Sequence, residues 1–161
     1  MYERLMQLAK DNQISELDFY NTNITRKQIS DISNLIQQNT SLLTLNLGSN
    51  NLIDDDIIVL SNALKKNKNL KELILRGNRI GKKGGYALAD MIKHNNSIEY
   101  IDLAWNKIKD MGAVAILHAV KNAKNIKNID ISWNGIRNKR QIKELMDSYL
   151  KEHIMGHIEN K

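Results

Sequence analysis

One spacing constrains every reading of this chain. The segment LLTLNLGSNNLI, residues 42–53, places Leu42, Leu45, Leu47, Asn50 and Leu52 at offsets 1, 4, 6, 9 and 11. The same offsets recur at Leu70, Leu73, Leu75, Asn78 and Ile80, then at Ile98, Ile101, Leu103, Asn106 and Ile108. They recur once more at Ile126, Ile129, Ile131, Asn134 and Ile136. Upstream, Ile14, Leu17, Phe19, Thr22 and Ile24 fit, with threonine in the asparagine slot. The first residues, 14, 42, 70, 98 and 126, are 28 apart each time, with no insertion. Internal repetition at this period predicts a solenoid.

Each unit has two halves. The first, such as KELILR (71–76), alternates apolar and variable positions, which is strand spacing. The second, such as KKGGYALADMIKHN (82–95), carries Ala87, Leu88, Met91 and Ile92 at helical spacing. Ile57, Leu60 and Leu64 repeat that stripe, as do Ala113, Ile116 and Val120. A lone strand–helix unit cannot bury both apolar faces, whereas stacked units can. Strands lie about 4.8 Å apart and packed helices about 8–10 Å. The stack must therefore bend, with a parallel sheet on its concave side and helices on its convex side. Asn50, Asn78, Asn106 and Asn134 follow the strands, where the chain turns inward. A buried carboxamide there can serve backbone groups that have left the sheet, so all four are expected to be structural.

LxxLxLxxNxI with a 28-residue period and a long helical half resembles the leucine-rich repeat family. It is most similar to the ribonuclease-inhibitor-like subtype, which also includes the Ran GTPase-activating protein. The segment 100–136 is the nearest match, and the resemblance covers about residues 14–140. It implies an α/β leucine-rich repeat solenoid: a right-handed horseshoe of five 28-residue repeats with helical caps. It also implies protein binding on the concave face and adjoining loops.

The expected organisation is a single domain over residues 1–161. Residues 1–13 form an N-terminal cap helix facing inward through Met1, Leu5 and Leu8. This half repeat would equally suit a chain that starts further upstream. Residues 14–139 hold the repeats, and 140–161 a C-terminal cap helix and tail. Ile142, Leu145, Met146, Tyr149 and Leu150 supply the cap's apolar stripe, and the tail after it is expected to fray.

Several chemistries are weighed and set aside. RGNRIGKKGG (76–85) is glycine-rich between strand and helix, but it lacks GxxxxGK[ST]. Gly112 and Ala113 match Gly84 and Gly85, so small residues there serve close packing. His153 and His157 have helical metal spacing but nothing to complete a site, and Gly156 interrupts them. Asp54, Asp55 and Asp56 suit a helix N-terminus. No Ser/His/Asp arrangement can be assigned. The three Asn-x-Ser/Thr triplets are attributed to chance in so asparagine-rich a chain. No enzyme activity, cofactor, metal or small-molecule substrate is expected.

The surface is more informative. Offsets 3, 5 and 7 point away from the core, and the middle row reads Asp18, Asn46, Ile74, Asp102, Asp130. Basic residues collect where strands lead into helices: Arg76, Arg79, Lys82, Lys107 and Arg137 among them, with Asp110 the acid in their midst. Trp105 and Trp133 share offset 8 beside this rim. Exposed tryptophan near arginine is the composition of a binding hot spot, while packing over the turn would also explain the pair. The expected partner-binding residues are Glu72, Ile74, Arg76, Tyr100, Asp102, Trp105, Asp130 and Trp133.

The reading is a non-catalytic protein–protein interaction module, a monomeric scaffold. A GTPase activator and an actin-capping regulator are the alternatives of the same repeat type. Tropomodulin's C-terminal domain is similar in being a short stack that ends in a helix. Nucleic-acid binding through the basic rim is the third alternative, and the acidic concave row argues against it. The net charge of +6 selects no partner by itself. The chain has no cysteine, which points to a cytoplasmic, intracellular setting. No apolar run approaches the roughly 18–20 residues of a membrane span, so no membrane partner is expected.

Overall fold

The chain forms five strand–helix units behind a helical cap. The structure, a computed structural model, describes residues 1–149. Element order is α1 (Tyr2–Lys10), β1 (Glu16–Asp18), α2 (Arg26–Gln38), β2 (Thr44–Asn46), α3 (Asp54–Leu64), β3 (Glu72–Ile74), α4 (Lys82–His94), β4 (Tyr100–Asp102), α5 (Lys109–Asn122), β5 (Asn128–Asp130) and α6 (Lys139–Tyr149). The strands make one parallel sheet in the order β1-β2-β3-β4-β5. Its register equals the sequence period: Leu17, Leu45, Leu73, Ile101 and Ile129 are Cα partners in turn.

The core lies between this sheet and the helices. Leu45, Leu47, Leu73, Leu75, Leu103, Ile129 and Ile131 meet Ile57, Leu64, Leu88, Met91 and Ile116, all fully buried. Close packing here has a steric signature. A Cβ on Gly112 would stand 2.5 Å from Ile108 Cγ2, and one on Gly85 would stand 3.0 Å from Gly112 Cα. The helix starts therefore approach as the small residues at 84, 85, 112 and 113 predict.

The asparagine ladder is present. Asn78 Oδ1 accepts from the Asn50 and Leu52 amides at 3.0 Å each. Its Nδ2 donates to the Leu47 and Leu75 carbonyls at 3.0 and 2.8 Å. Asn50 reaches back to Thr22 and Ile24, Asn106 to Ile80, and Asn134 to Ile108 in the same way. Each carboxamide thus ties its own turn to the preceding unit. In the first unit the Thr22 hydroxyl donates to Phe19 O at 2.8 Å, closing the turn with one short polar group.

A second ladder runs along the opposite turns. Asn39, Asn67 and Asn95 are buried where helix returns to strand. Their Nδ2 groups donate to Ala9 O, Ile36 O and Leu64 O, at 2.6, 2.8 and 2.7 Å. Their Oδ1 atoms accept from Leu42, Leu70 and Ile98 amides. The three-asparagine series is also spaced by 28 in the sequence, and periodicity in apolar residues alone does not reveal it. Ala123 ends the series, and Asn125 Nδ2 donates to Ile98 O at 2.6 Å, the bond that Ser41 Oγ makes to Ile14 O in the first unit.

The N-terminal cap differs from expectation. Met6 and Ala9 are its buried residues, Leu5 and Leu8 are half-buried, and Met1 is 82% exposed. The helix turns because Tyr2 packs on Phe19, with ring centroids 5.1 Å apart, and donates to Gln28 O at 3.3 Å. At the other end Ile142 and Met146 are buried and Leu145 is half-buried, as a capping stripe requires. The expectations for Leu150, for the His153/His157 pair and for the tail lie outside the described residues. The three aspartates at the start of α3 serve the fold: Asp56 accepts from the Ile53 amide at 3.0 Å, Asp54 from the Gly81 amide of the next unit at 2.5 Å, and Asp55 lies 3.6 Å from the Arg26 guanidinium of the preceding unit.

Two outcomes test this account. Asn78→Ala removes a bridge and leaves buried amides without an acceptor. It should cost about 3 kcal/mol of stability, taking about 1–3 kcal/mol per orphaned group, measured by urea unfolding. Burial, then Asp31 and Glu3, push the Tyr2 hydroxyl up to about 12 from 10.0. Its contribution is present in full below pH 10.0 and is lost as pH rises through about 12. Tyr2→Phe should flatten that part of the stability-versus-pH curve.

Candidate functional site

The sheet's outer row starts from strand geometry. β3, β4 and β5 set Glu72, Tyr100 and Asn128 side by side, and Ile74, Asp102 and Asp130 beside those. A hollow of about 220 Å³ lies over this ground, lined by Glu72, Tyr100, Ile101, Asp102, Asn128 and Asp130. Tyr100 is 44% exposed. The sequence-derived candidates Glu72, Tyr100, Asp102 and Asp130 therefore share one hollow, with Ile74 beside it in register.

The middle row has a structural task that spacing did not disclose. Oδ1 of Asp18, Asn46, Asp102 and Asp130 accepts from the amide two residues on, at 2.7, 3.0, 2.9 and 2.8 Å. This is the Asx turn, which starts the bend after four of the five strands. Ile74 has no such oxygen. One oxygen of each acid is thus committed to the fold, and the second is open to other contacts. Asp102 Oδ2 lies 3.5 Å from the Arg76 guanidinium. Burial pushes the Asp102 carboxyl up, the Ala104 amide and Arg76 pull it down, and Asp130 pushes it up again. The net direction is upward, because burial outweighs Ala104 and Arg76, so a cation brought into the hollow by a partner would favour the ionised form.

Offset 7 is only partly a surface row. Arg76 and Tyr20 are exposed, while Gly48, Ala104 and Ser132 are buried. A Cβ on Gly48 would meet the Tyr20 ring at 3.0 Å, so a bulky neighbour covers the small residue.

Trp105 and Trp133 stand at the rim. Backbone pairing continues beyond the strands here: the Ser49, Gly77 and Trp105 amides donate to Arg76 O, Ala104 O and Ser132 O at 2.9, 2.9 and 3.0 Å. The residue at offset 8 is left-handed in every unit, namely Asn21, Ser49, Gly77, Trp105 and Trp133, with φ of 52, 57, 68, 58 and 57°. Asparagine and glycine adopt this conformation readily, and tryptophan does not. The two indoles stack, with centroids 4.5 Å apart and planes 11° from parallel. Trp105 is 52% exposed and Trp133 half-buried.

Positive charge surrounds the pair. Arg79, Lys107 and Arg137 are exposed and enter no ion pair among the described residues. Asp110 does not neutralise them freely, because its Oδ1 accepts from the Arg137 and Asn138 amides at 2.9 Å each. By contrast Glu99 sits between Lys71 and Lys127, at 2.9 and 2.5 Å, below the hollow. Hydrogen bonds from these lysines hold its carboxyl below the usual carboxylate range. Among the described residues no group of three or more His, Cys, Asp or Glu could hold a metal ion, and no helix is long and apolar enough to cross a membrane.

A family model described as leucine-rich repeat matches residues 38–60, 66–89 and 94–117. These windows step by 28 from one β-turn-helix unit to the next, the period that the five-stranded register displays. The chain is a leucine-rich repeat protein. Its repeat length is that of the ribonuclease-inhibitor-like subtype, as its sequence resemblance indicates. Two solved structures share the fold of this leucine-rich repeat chain. One is leiomodin-1 actin-binding site 2, with a TM-score of 0.78 and 16% identity, covering 94% of this chain and 88% of that one. The other is the tropomodulin C-terminal domain of Caenorhabditis elegans, with a TM-score of 0.75 and 11% identity, covering 93% and 91%. No curated protein matches the sequence.

The indole stack makes a spectroscopic prediction. Parallel, close chromophores couple, so the leucine-rich repeat domain should show an exciton couplet in circular dichroism. Either Trp105→Phe or Trp133→Phe should abolish it while leaving the helical signal intact. Persistence of the couplet in both variants would refute the stacking.

Proposed function

We propose that this protein is a non-catalytic protein-interaction module that engages its partner through the concave hollow and the adjoining strand-to-helix rim. The observation that carries this reading is the stacked tryptophan pair, with Trp105 exposed, on adjacent left-handed turns beside Arg79 and Lys107, which enter no ion pair among the described residues. Exposed tryptophan and arginine dominate binding energy at protein interfaces. The sheet holds both rows rigidly, so little freedom is lost on association. Concave acids facing rim bases give the partner a sign to match at each edge, which sets specificity more than affinity. Glu72, Ile74, Arg76, Tyr100, Asp102, Trp105, Asp130 and Trp133 are the contact residues of this reading. A cytoplasmic setting and a monomeric state accompany it, supported by the cysteine-free sequence and by helical caps on both ends of the repeat stack.

Actin is the first partner to try. The leiomodin-1 segment that shares this fold is named for actin binding. The likeness is one of fold, and it raises actin above the GTPase and nucleic-acid alternatives without placing the contact.

The test is binding to monomeric and filamentous actin, by anisotropy and co-sedimentation, with the native protein and a Trp105→Ala/Trp133→Ala/Arg76→Ala variant. The native protein should bind, and the variant should lose at least about thirtyfold in affinity, as loss of about 2 kcal/mol of hot-spot energy requires. Absence of binding by the native protein removes actin. Affinity capture with the same pair then decides the surface: equal recovery of the same proteins by both would refute its placement.

A further inference from the structure

The free face of the tryptophan stack meets an empty position. Trp105 and Trp133 occupy the same register site on adjacent units, and their parallel rings stack along the direction in which units repeat. The ring face of Trp105 turned from Trp133 therefore looks toward the third unit. The matching residue there is Gly77, which has no side chain. The three heavy atoms nearest to a Cβ placed on Gly77 all belong to Ser49, on the side away from the fourth unit, and Gly77 itself puts no side chain beside Trp105. Arg76 precedes this glycine, and Arg79 and Lys107 occupy offset 10 of the two units that border it. The result is a notch with one aromatic wall, a backbone floor and three exposed cations around it.

Strain singles the notch out. Each non-glycine residue held left-handed costs about 1–3 kcal/mol. A stacked aromatic pair returns about 0.5–1.5 kcal/mol. Stacking alone does not offset two strained tryptophans where asparagine, serine or glycine serve the other three units. An aromatic wall kept at this cost, next to unpaired positive charge, has the composition of a recognition pocket.

Building on the module reading above, we infer that the Trp105–Gly77 notch receives a single aromatic side chain from an acidic segment of a partner protein. The aromatic ring extends the indole stack over Gly77. Carboxylates on either side of it in the partner chain meet Arg79 and Lys107. A basic segment is excluded by the same charges, and an acidic segment without an aromatic residue has nothing to insert.

The protein contains two tryptophans, both in this stack, so intrinsic fluorescence reports on the notch alone. The probe is a terminally blocked peptide, Asp-Glu-Phe-Glu-Asp, titrated into the full chain. It is compared with the same peptide carrying alanine for phenylalanine, and with one carrying lysine for every acid. The first should give a saturable change at concentrations below about 1 mM, weakening with salt as the screening length falls from about 10 Å at 0.1 M to about 3 Å at 1 M. The other two should give none.

Gly77→Asn adds a side chain to the floor of the notch in the left-handed conformation that Asn21 adopts at the same offset. Its Cβ would meet Ser49 Oγ at 2.9 Å, so some loss of melting temperature is expected, and the variant should weaken the first peptide at least tenfold while its circular dichroism remains native. The exposed pair Arg79→Glu/Lys107→Glu should transfer binding to the lysine peptide. No response to the first peptide, equal responses to all three, or unchanged binding by both variants would overturn the inference. The titration uses no partner protein, so its failure leaves the module reading intact. Conversely, a partner retained by the Trp105→Ala/Trp133→Ala/Arg76→Ala variant would refute that reading's surface while the peptide result stands.

Discussion

A buried carboxamide shared between consecutive turns is the interaction on which this architecture depends. Strands of three residues, with backbone pairing that continues only to offset 8, leave the groups of the following turn outside the ladder. The amides and carbonyls of the exiting turn would be buried without partners, at about 1–3 kcal/mol each. Asparagine presents an acceptor and two donors on one short side chain, so it serves its own turn and the turn before it together. Asn50, Asn78, Asn106 and Asn134 do this on one edge, and Asn39, Asn67 and Asn95 do it on the other. Hydrophobic burial drives the stacking, but the carboxamides fix its register. A slip would break both polar edges along with the core.

That rigidity is what makes the rim a surface with defined chemistry. Because every unit turns at the same offset, residues 21, 49, 77, 105 and 133 fall in a line, all left-handed. The fold asks only for a residue that tolerates this backbone. Three units answer with asparagine, serine or glycine, and two with tryptophan. The departure from local preference is therefore separable from the demands of the core. The Asx row shows the opposite relation. Asp18, Asp102 and Asp130 look like a functional acidic stripe, yet each has one oxygen engaged in ending its strand.

Much of the fold was legible in the chain because its period is constant. Equal spacing of Leu45, Leu73, Ile101 and Ile129 predicts the observed strand partners directly. The offset-9 asparagines were legible because a polar residue at a fixed place in an apolar pattern needs a structural cause. The second ladder escaped notice because Asn39, Asn67 and Asn95 lie among many other polar residues at helix ends. On α1, Leu5 and Leu8 are half-buried as spacing suggests, while Met1 is exposed and Tyr2 packs on Phe19, a contact that helical spacing within the cap cannot foresee.

Sequence by itself determined the repeat, the strand register, the polar edge of each turn and the excess of cations near the tryptophans. These follow from local periodicity, which survives in one dimension. Only the tertiary structure decided that offset 8 is left-handed, that the indoles are parallel at 4.5 Å, and that Gly77 is the next position in their row. Those facts concern residues 28 apart brought side by side, and their relation is set by the distance between stacked strands rather than by any spacing along the chain.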